Sequence, residues 1–298
     1  MMKMSRTMKD GFAGYLFLLP ALILFLLFIA EPLIVSVFLS FTEYNVITPY
    51  RWIGLDNVRQ FFHDARLGLM YGNTFKYVLI LVPLHMVLGL LLALGVTRKI
   101  SKRWKYFYRT AFYFPVLVTS AAVAVAWSFL FDSDFGVLNY LLGQLGFDRV
   151  PWLQSPRWVY AAVALYSFWK FVGNAFLYYV IGLQNIPETL YEAAEIDGAG
   201  PLQSFFRLTL PLLSPTIFFV LVTTLIGATQ IFDEPYLITG GGPGDASRSV
   251  NMYIYEVAFQ SHEMGYASLV SLSLFLIILL VTVLQFRLSR TWVSYHQE

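Results

Sequence analysis

The stretch Tyr77–Arg109, YVLILVPLHMVLGLLLALGVTRKISKRWKYFYR, decides the fold class. Tyr77 to Thr97 carry no charge. A helix of about 20 mostly apolar residues is what crosses the hydrocarbon layer of a bilayer. Six bases follow at once: Arg98, Lys99, Lys102, Arg103, Lys105 and Arg109. Lys and Arg gather on the cytoplasmic side of membrane proteins, so this helix leaves the membrane on the inside.

Five further segments read the same way. Gly11–Ala30 is uncharged, and after Glu31 and Pro32 its apolar pattern resumes to Phe41. Thr110–Phe131, Trp158–Leu183 (interrupted by Lys170), Leu208–Phe232 and Met264–Phe286 complete a set of six. Composition agrees. Of 298 residues, 58% are hydrophobic and 18% aromatic, while only 13% are charged. Too few charges remain to cover a soluble fold of that apolarity, and a disordered chain needs the opposite balance. The net charge of +2 gives no footprint for nucleic acid. Without cysteine there are no disulfides and no thiolate chemistry. None of the segments alternates in the short pattern of a membrane barrel. The expected fold is an all-α integral membrane protein of six transmembrane helices.

Orientation follows from the bases. With the N-terminus inside, the inner segments hold Lys3, Arg6, Lys9, Arg98, Lys99, Lys102, Arg103, Lys105, Arg109, Arg207, Arg287 and Arg290. The outer segments hold Arg51, Arg59, Arg66, Arg149, Arg157 and Arg248, half as many. Both termini are therefore expected in the cytoplasm. The expected organisation is a cytoplasmic start at 1–10, an uncleaved signal-anchor helix at 11–40, a five-helix core at 72–288 and a cytoplasmic end at 289–298. The spans contain Pro20, Pro83, Pro115, Pro211 and Pro215, which membrane helices tolerate when neighbours satisfy the freed carbonyls.

Catalytic and metal signatures are missing. No second His stands at i+4 from His85, the one His within a span, so no metal pair forms and a hydrogen-bonded bundle residue is expected. The run Gly240–Gly244, GGGPG, lacks the Lys and the helix start of a phosphate cradle and reads as a tight turn. No metal, catalytic residue or cofactor is expected in this chain.

One cytoplasmic segment reverses the basic trend. Gln184–Pro211, QNIPETLYEAAEIDGAGPLQSFFRLTLP, holds Glu188, Glu192, Glu195 and Asp197 against one base, Arg207. Pro187 and Glu188 suit a helix start, Gly198 and Gly200 stop that helix, and Pro201 can start the next. The reading is a short helical hairpin at the inner face. Interfacial helices that bind anionic lipid are basic, so an acidic hairpin points to docking with a protein. Ala193 and Ala194 permit close approach, and Glu192 offers a charge to a basic partner.

YEAAEIDGAGPLQSFFRLTLP resembles the EAA motif of permease subunits of bacterial ABC importers. Glu192, Ala193, Ala194 and Gly198 match its first half, and Leu210 and Pro211 fall at the required spacing, with Leu208 where Ile is usual. The resemblance implies that the hairpin, with Asp197 at its turn, is a coupling helix held by a separate ATPase subunit. The form around Tyr191–Gly200, together with YLITGGGP at Tyr236–Pro243 and GYAS at Gly265–Ser268, is similar to the carbohydrate branch of these importers. The resemblance therefore implies import of a sugar or oligosaccharide by alternating access, in the inner membrane of a bacterium. It also implies a second, different permease subunit, two ATPase subunits that bind ATP and Mg, and an extracytoplasmic solute-binding protein, which would dock on Gly241, Gly242 and Pro243. Another polar solute such as glycerol-3-phosphate is the alternative cargo. An ion-driven transporter is the alternative class, and it lacks central intramembrane acids here.

Polar residues within spans mark a solute path. Ser167, Lys170, Asn174 and Tyr178 share a helical face by i, i+3 and i+4 spacing. Thr223, Thr224, Gly227, Gln230 and Asp233 supply small or polar positions on the fifth span. That span resembles the part of the maltose permease that lines its solute site, with Thr224 at an equivalent position. Packing between helices is the competing use of all these residues.

Overall fold

The computed structural model describes residues 6–97 and 101–294, with side chains from residue 14 onward. Lys3, Arg98, Lys99 and both chain ends lie outside the described residues. Contacts divide the chain into two units. One runs up to Asp64 and includes Ile254–Phe275; the other is Ala65–Tyr253 with the residues from Leu276 on.

The first unit begins with α1 (Arg6–Phe25) and α2 (Glu31–Leu39), joined through a π-helical turn at Leu26–Ala30. None of Gly14–Leu39 is buried, as suits an apolar helix in lipid. Two short strands follow, β1 (Thr42–Glu43) and β2 (Arg51–Trp52), antiparallel with Thr42 opposite Trp52. An Arg51–Glu43 ion pair crosses them. In α3 (Asp56–His63), the buried Asn57 amide donates to the carbonyls of Ser40 at 2.9 Å and Thr42 at 3.0 Å. The start of the last helix, α15 (Met264–Ser289), packs here: any Cβ on Gly265 would strike the Thr42 carbonyl.

The second unit is built around α8 (Val159–Gln184) and α4 (Ala65–Thr97), the most extensive helix pair. Around them run α5 (Lys102–Leu117), α6 (Ser120–Leu130), α7 (Val137–Gln144), α9 (Glu188–Ile196), α10 (Pro201–Ser204), α11 (Leu210–Leu212) and α12 (Ser214–Thr229). The short helices α13 (Asp233–Thr239) and α14 (Val250–Tyr255) follow. Small residues let the backbones meet, as is usual between membrane helices. A Cβ on Gly89 of α4 would lie 2.9 Å from Ala175 Cβ of α8, and a Cβ on Gly173 would collide with the Phe112 carbonyl of α5. Buried Ala93, Val96, Phe176, Tyr179, Leu213 and Val220 form one core at the α4–α8–α12 contact. Phe131, Trp152, Ala162, Tyr166 and Ile238 form another around α6, α8 and α13.

Among the described residues, three helices are long and apolar enough to cross a membrane: Gly14–Leu39, Ala65–Thr97 and Met264–Ser289. The count becomes five if each of two bent pairs is one span. The segments read from sequence as straight spans at Thr110–Phe131 and Leu208–Phe232 are these pairs. The first bends by 99° between α5 and α6, the second by 65° at Leu213. Proline explains the second position, since Pro215 lacks the N–H that would bond back to Pro211 across the break; at the first, Pro115 lies in the last turn of α5 and the chain becomes extended at Val118 and Thr119. The helix α8 has the length to span but carries Lys170 and a polar face, and half of its residues are buried in the unit's centre.

Candidate functional site

A cavity of about 420 Å³ opens between α4, α8, α12 and α13, within the second unit. Helix α8 contributes Ser167, Phe171, Asn174 and Tyr178 to its wall; α12 contributes Thr223, Thr224 and Gly227. Gln230, Asp233 and Glu234 line the end where α12 gives way to α13, and Leu81 and His85 close the α4 side. Eight of the nine path residues expected from sequence thus surround one space. Its size suits a small-molecule site, and it offers what polyols need: amides, hydroxyls and carboxylates beside aromatic faces.

Lys170 is the exception. At about 100° per residue, Phe171, Asn174 and Tyr178 fall within about 40° of Ser167, whereas Lys170 falls about 60° away, towards Tyr166 and Gly173. That side faces α5 and α6. Lys170 is 2% exposed, and its ammonium donates to the carbonyls of Pro115 at 2.7 Å, Val116 at 3.2 Å and Val118. Three N–H groups meet three acceptors, which is what a buried ammonium needs. One turn earlier, Tyr166 Oη donates to the Ser120 carbonyl at 3.0 Å, on the far side of the same break. Lys170 therefore holds the bent pair together and does not line this cavity.

Sequence reasoning missed Glu234. It stands beside Asp233 in the first turn of α13 and is 8% exposed. Ser167 Oγ donates to its Oε1 at 3.3 Å. In the sequence both acids sit past the end of an apolar run, which hides that α13 turns them back against α8. His85 Nε2 lies 3.2 Å from the Ser167 carbonyl. The carbonyl only accepts, so Nε2 carries the proton, and His85 is the hydrogen-bonded bundle residue expected.

The acidic hairpin takes the form its sequence suggests. The helix α9 ends in a paired closure: Gly198 N–H donates to Glu195 O at 3.0 Å, and Ala199 N–H to Ala194 O at 2.8 Å. Gly198 adopts φ +78°, a left-handed conformation that costs other residues energy. Pro201 then opens α10. Tyr191 Oη meets Thr209 Oγ1 at 3.0 Å and ties the two arms. No residue of α9 is buried. Glu192, Ala193, Asp197 and Gly198 are exposed and Ala194 is half-buried, while Ile196 is 87% exposed, Leu202 72% and Phe206 58%. Pro211 lies in α11, below the 65° bend.

The Gly240–Ser249 loop is pinned to α4. Asp245 pairs with Arg66 at 3.0 Å and with Arg248 at 2.6 Å, and the buried Asn73 amide donates to the carbonyls of Asp245 and Arg248. Tyr77 Oη donates to Ser247 O at 2.9 Å. Burial alone would raise the Asp245 pKa; hydrogen bonds and charge from Arg248 and Arg66 outweigh it and hold the carboxyl below its ordinary range. Gly241 is buried under the Arg248 side chain, Gly242 and Pro243 are half-buried, and Gly244 is exposed.

Residues 85–293 match the model of the "binding-protein-dependent transport system inner membrane component" family. The chain belongs to that family. The match covers the hairpin, the Gly240–Ser249 loop and every cavity-lining residue but Leu81, so this is a multi-pass membrane protein of the permease type. A "probable ABC transporter permease protein", YesP of Bacillus subtilis, is 40% identical over all of this chain and 97% of its own length. The "sulfoquinovosyl glycerol transport system permease protein" SmoG of Agrobacterium fabrum is 36% identical over 95% of this chain and 92% of its own. A solved structure of "a bacterial ABC transporter involved in the import of the acidic polysaccharide alginate" matches with a TM-score of 0.83 at 26% identity, over 97% of this chain and 99% of that one.

Proposed function

We propose that this permease carries a sugar or oligosaccharide inward, as one half of a two-permease channel driven by two separate ATPase subunits. The observation that carries the reading is the hairpin: an EAA motif on a helix with no buried residue, closed by Gly198 and flanked by bare Ile196 and Leu202. Such a surface needs a partner. An ATPase cleft that grips α9 moves it as a rigid body when ATP, with Mg, closes the two ATPase subunits. The bundle then alternates between inward and outward openings. Glu192, Ala193, Ala194, Asp197 and Pro211 form or brace the grip.

Several features support the cargo and the remaining parts. The cavity's Ser167, Asn174, Tyr178, Thr224, Gln230 and Asp233 suit a hydroxyl-rich solute. SmoG and the alginate importer are carbohydrate transporters by name. A binding protein outside would deliver the solute to the face of the Gly240–Ser249 loop, where Gly242, Pro243 and the exposed Gly244 are reachable. Of the described residues, α8 supplies the sixth span by length. Both termini lie in the cytoplasm under the charge asymmetry. Growth on single carbohydrates tests the reading in a strain lacking this chain. Loss of growth on one sugar or oligosaccharide, restored by the gene, is expected; unchanged growth and uptake on every carbohydrate contradicts it.

A further inference from the structure

From the charge of the cavity wall we infer that this permease passes uncharged sugars and turns away acidic ones, the uronates and sulfonated sugars, through the Asp233–Glu234 pair. The inference rests on the import reading above and narrows its substrate class.

Every ionisable group on the cavity wall can be named. From α13 come the carboxyls of Asp233, which is exposed, and Glu234, which is almost enclosed. From α4 comes His85, whose Nε2–H is already bonded to the Ser167 carbonyl. The linings from α8 and α12 are neutral: Ser167, Asn174, Tyr178, Thr223 and Thr224. Among the described residues, no Lys or Arg lines the space. The nearest cation along α8, Lys170, has its three N–H groups directed to Pro115, Val116 and Val118 and has none left for a solute.

An acidic sugar entering this space meets the exposed Asp233 carboxylate, beside a Glu234 carboxyl whose pKa burial pushes up to about 7, with Lys170 behind the wall and no Lys or Arg among the described lining residues. Like charges repel more strongly beside a low-dielectric wall than in water. Oxygen acceptors serve a neutral sugar well, because each hydroxyl has a proton to donate. Ser167 fixes one Glu234 oxygen and leaves its acceptor capacity incomplete, and Asp233 adds two more oxygens. The alginate importer shows that this fold also serves an acidic polysaccharide. SmoG is named for a sulfonated sugar, so any sorting by charge must come from the side chains of the individual cavity and not from the fold.

The chain has no cysteine, which makes the wall directly measurable. The assembled importer in nanodiscs, carrying Thr224→Cys, is reacted with a cationic and an anionic methanethiosulfonate of similar size. Labelling of this chain is followed by mass spectrometry, and a neutral reagent reports access. The cation-to-anion rate ratio is expected to fall about tenfold when Asp233→Asn and Glu234→Gln are added, the scale of a single nearby charge at intermediate dielectric. In parallel, neutral and uronate oligosaccharides of matched length are tested, with the binding protein, for stimulated ATP hydrolysis. Stimulation by neutral sugars alone is expected. An unchanged rate ratio, or stimulation by the uronates, overturns the inference. Silence to every sugar with the expected rate ratio overturns the import reading and leaves the charge of the cavity established.

Discussion

The Lys170 ammonium lies 2.7 Å from the Pro115 carbonyl, joining the middle of α8 to the end of α5 where the chain turns by 99°. The turn after Leu117 leaves the carbonyls at the end of α5 without their helical i+4 partners, and inside a bilayer lipid supplies no donor to replace them. A cation at a helix C-terminus answers both the hydrogen-bond and the dipole requirement. Lys170 thus makes the bend permanent. Lys170→Met takes the donor from the Val116 and Val118 carbonyls, while the Pro115 carbonyl keeps the Val118 N–H at 3.3 Å, and is expected to cost about 3 kcal/mol. Thermal unfolding of the purified complex should show a clear fall in Tm, with Lys170→Arg falling less. Equal Tm for the Met variant and the parent would contradict this role.

Gly198 is the second test. Its φ of +78° closes α9, and no atom lies within 4 Å of the place a Cβ would take, so the expected effect is backbone strain without a clash. A side chain there costs about 1–2 kcal/mol. Gly198→Leu should leave membrane insertion intact and cut ATP-coupled uptake at least tenfold, because the frayed hairpin no longer moves as one piece. Gly198→Asn, which tolerates the left-handed region, should retain most activity. Both are read by uptake normalised to membrane content.

How much of this was legible in the sequence differs by feature. Apolar runs announced the membrane helices because hydrocarbon demands them over a fixed length. Pro187, Gly198 and Pro201 announced the hairpin because each acts on its own backbone. The two bends were only half legible: Pro115 and Pro215 were visible, but a proline does not say whether a helix tolerates it or turns. Lys170 was read onto the wrong side of α8, since i, i+3 spacing leaves 60° of ambiguity and its acceptors lie more than 50 positions earlier in the chain. Glu234 was invisible because the return of α13 against α8 is a tertiary event.

Asn174 tests the cavity. It lines the space from α8, between Phe171 and Tyr178 on the same face. Asn174→Leu removes an amide that a sugar hydroxyl can use, and should lower uptake efficiency about tenfold or more, the scale of one solute hydrogen bond in a site built for it. ATP hydrolysis without solute should stay near the parent value. An unchanged apparent affinity and rate would place Asn174 outside the path.

Asp245 gives a pH prediction with a definite sign. Its folded pKa is held below the ordinary carboxylate value by Arg248 and Arg66, after burial has opposed them. Such a group stabilises the fold above its unfolded pKa, about 4, and that stability is lost as pH falls through the lower folded value. Protection against hydrogen exchange over the Gly240–Ser249 loop, corrected for the intrinsic rate at each pH, should therefore be flat from neutral pH to about pH 5 and fall below about pH 4. Asp245→Asn should raise exchange at neutral pH and abolish the acid step.

The most direct test of the account is what accompanies the chain out of the membrane. A tagged chain is extracted from native membranes in mild detergent, and its companions are identified and quantified by mass spectrometry. The account predicts one second permease and two copies of an ATP-hydrolysing subunit per chain, with the ATPase lost in Gly198→Leu and kept in Asn174→Leu. Recovery of the chain without an ATPase, repeated after cross-linking, would contradict it.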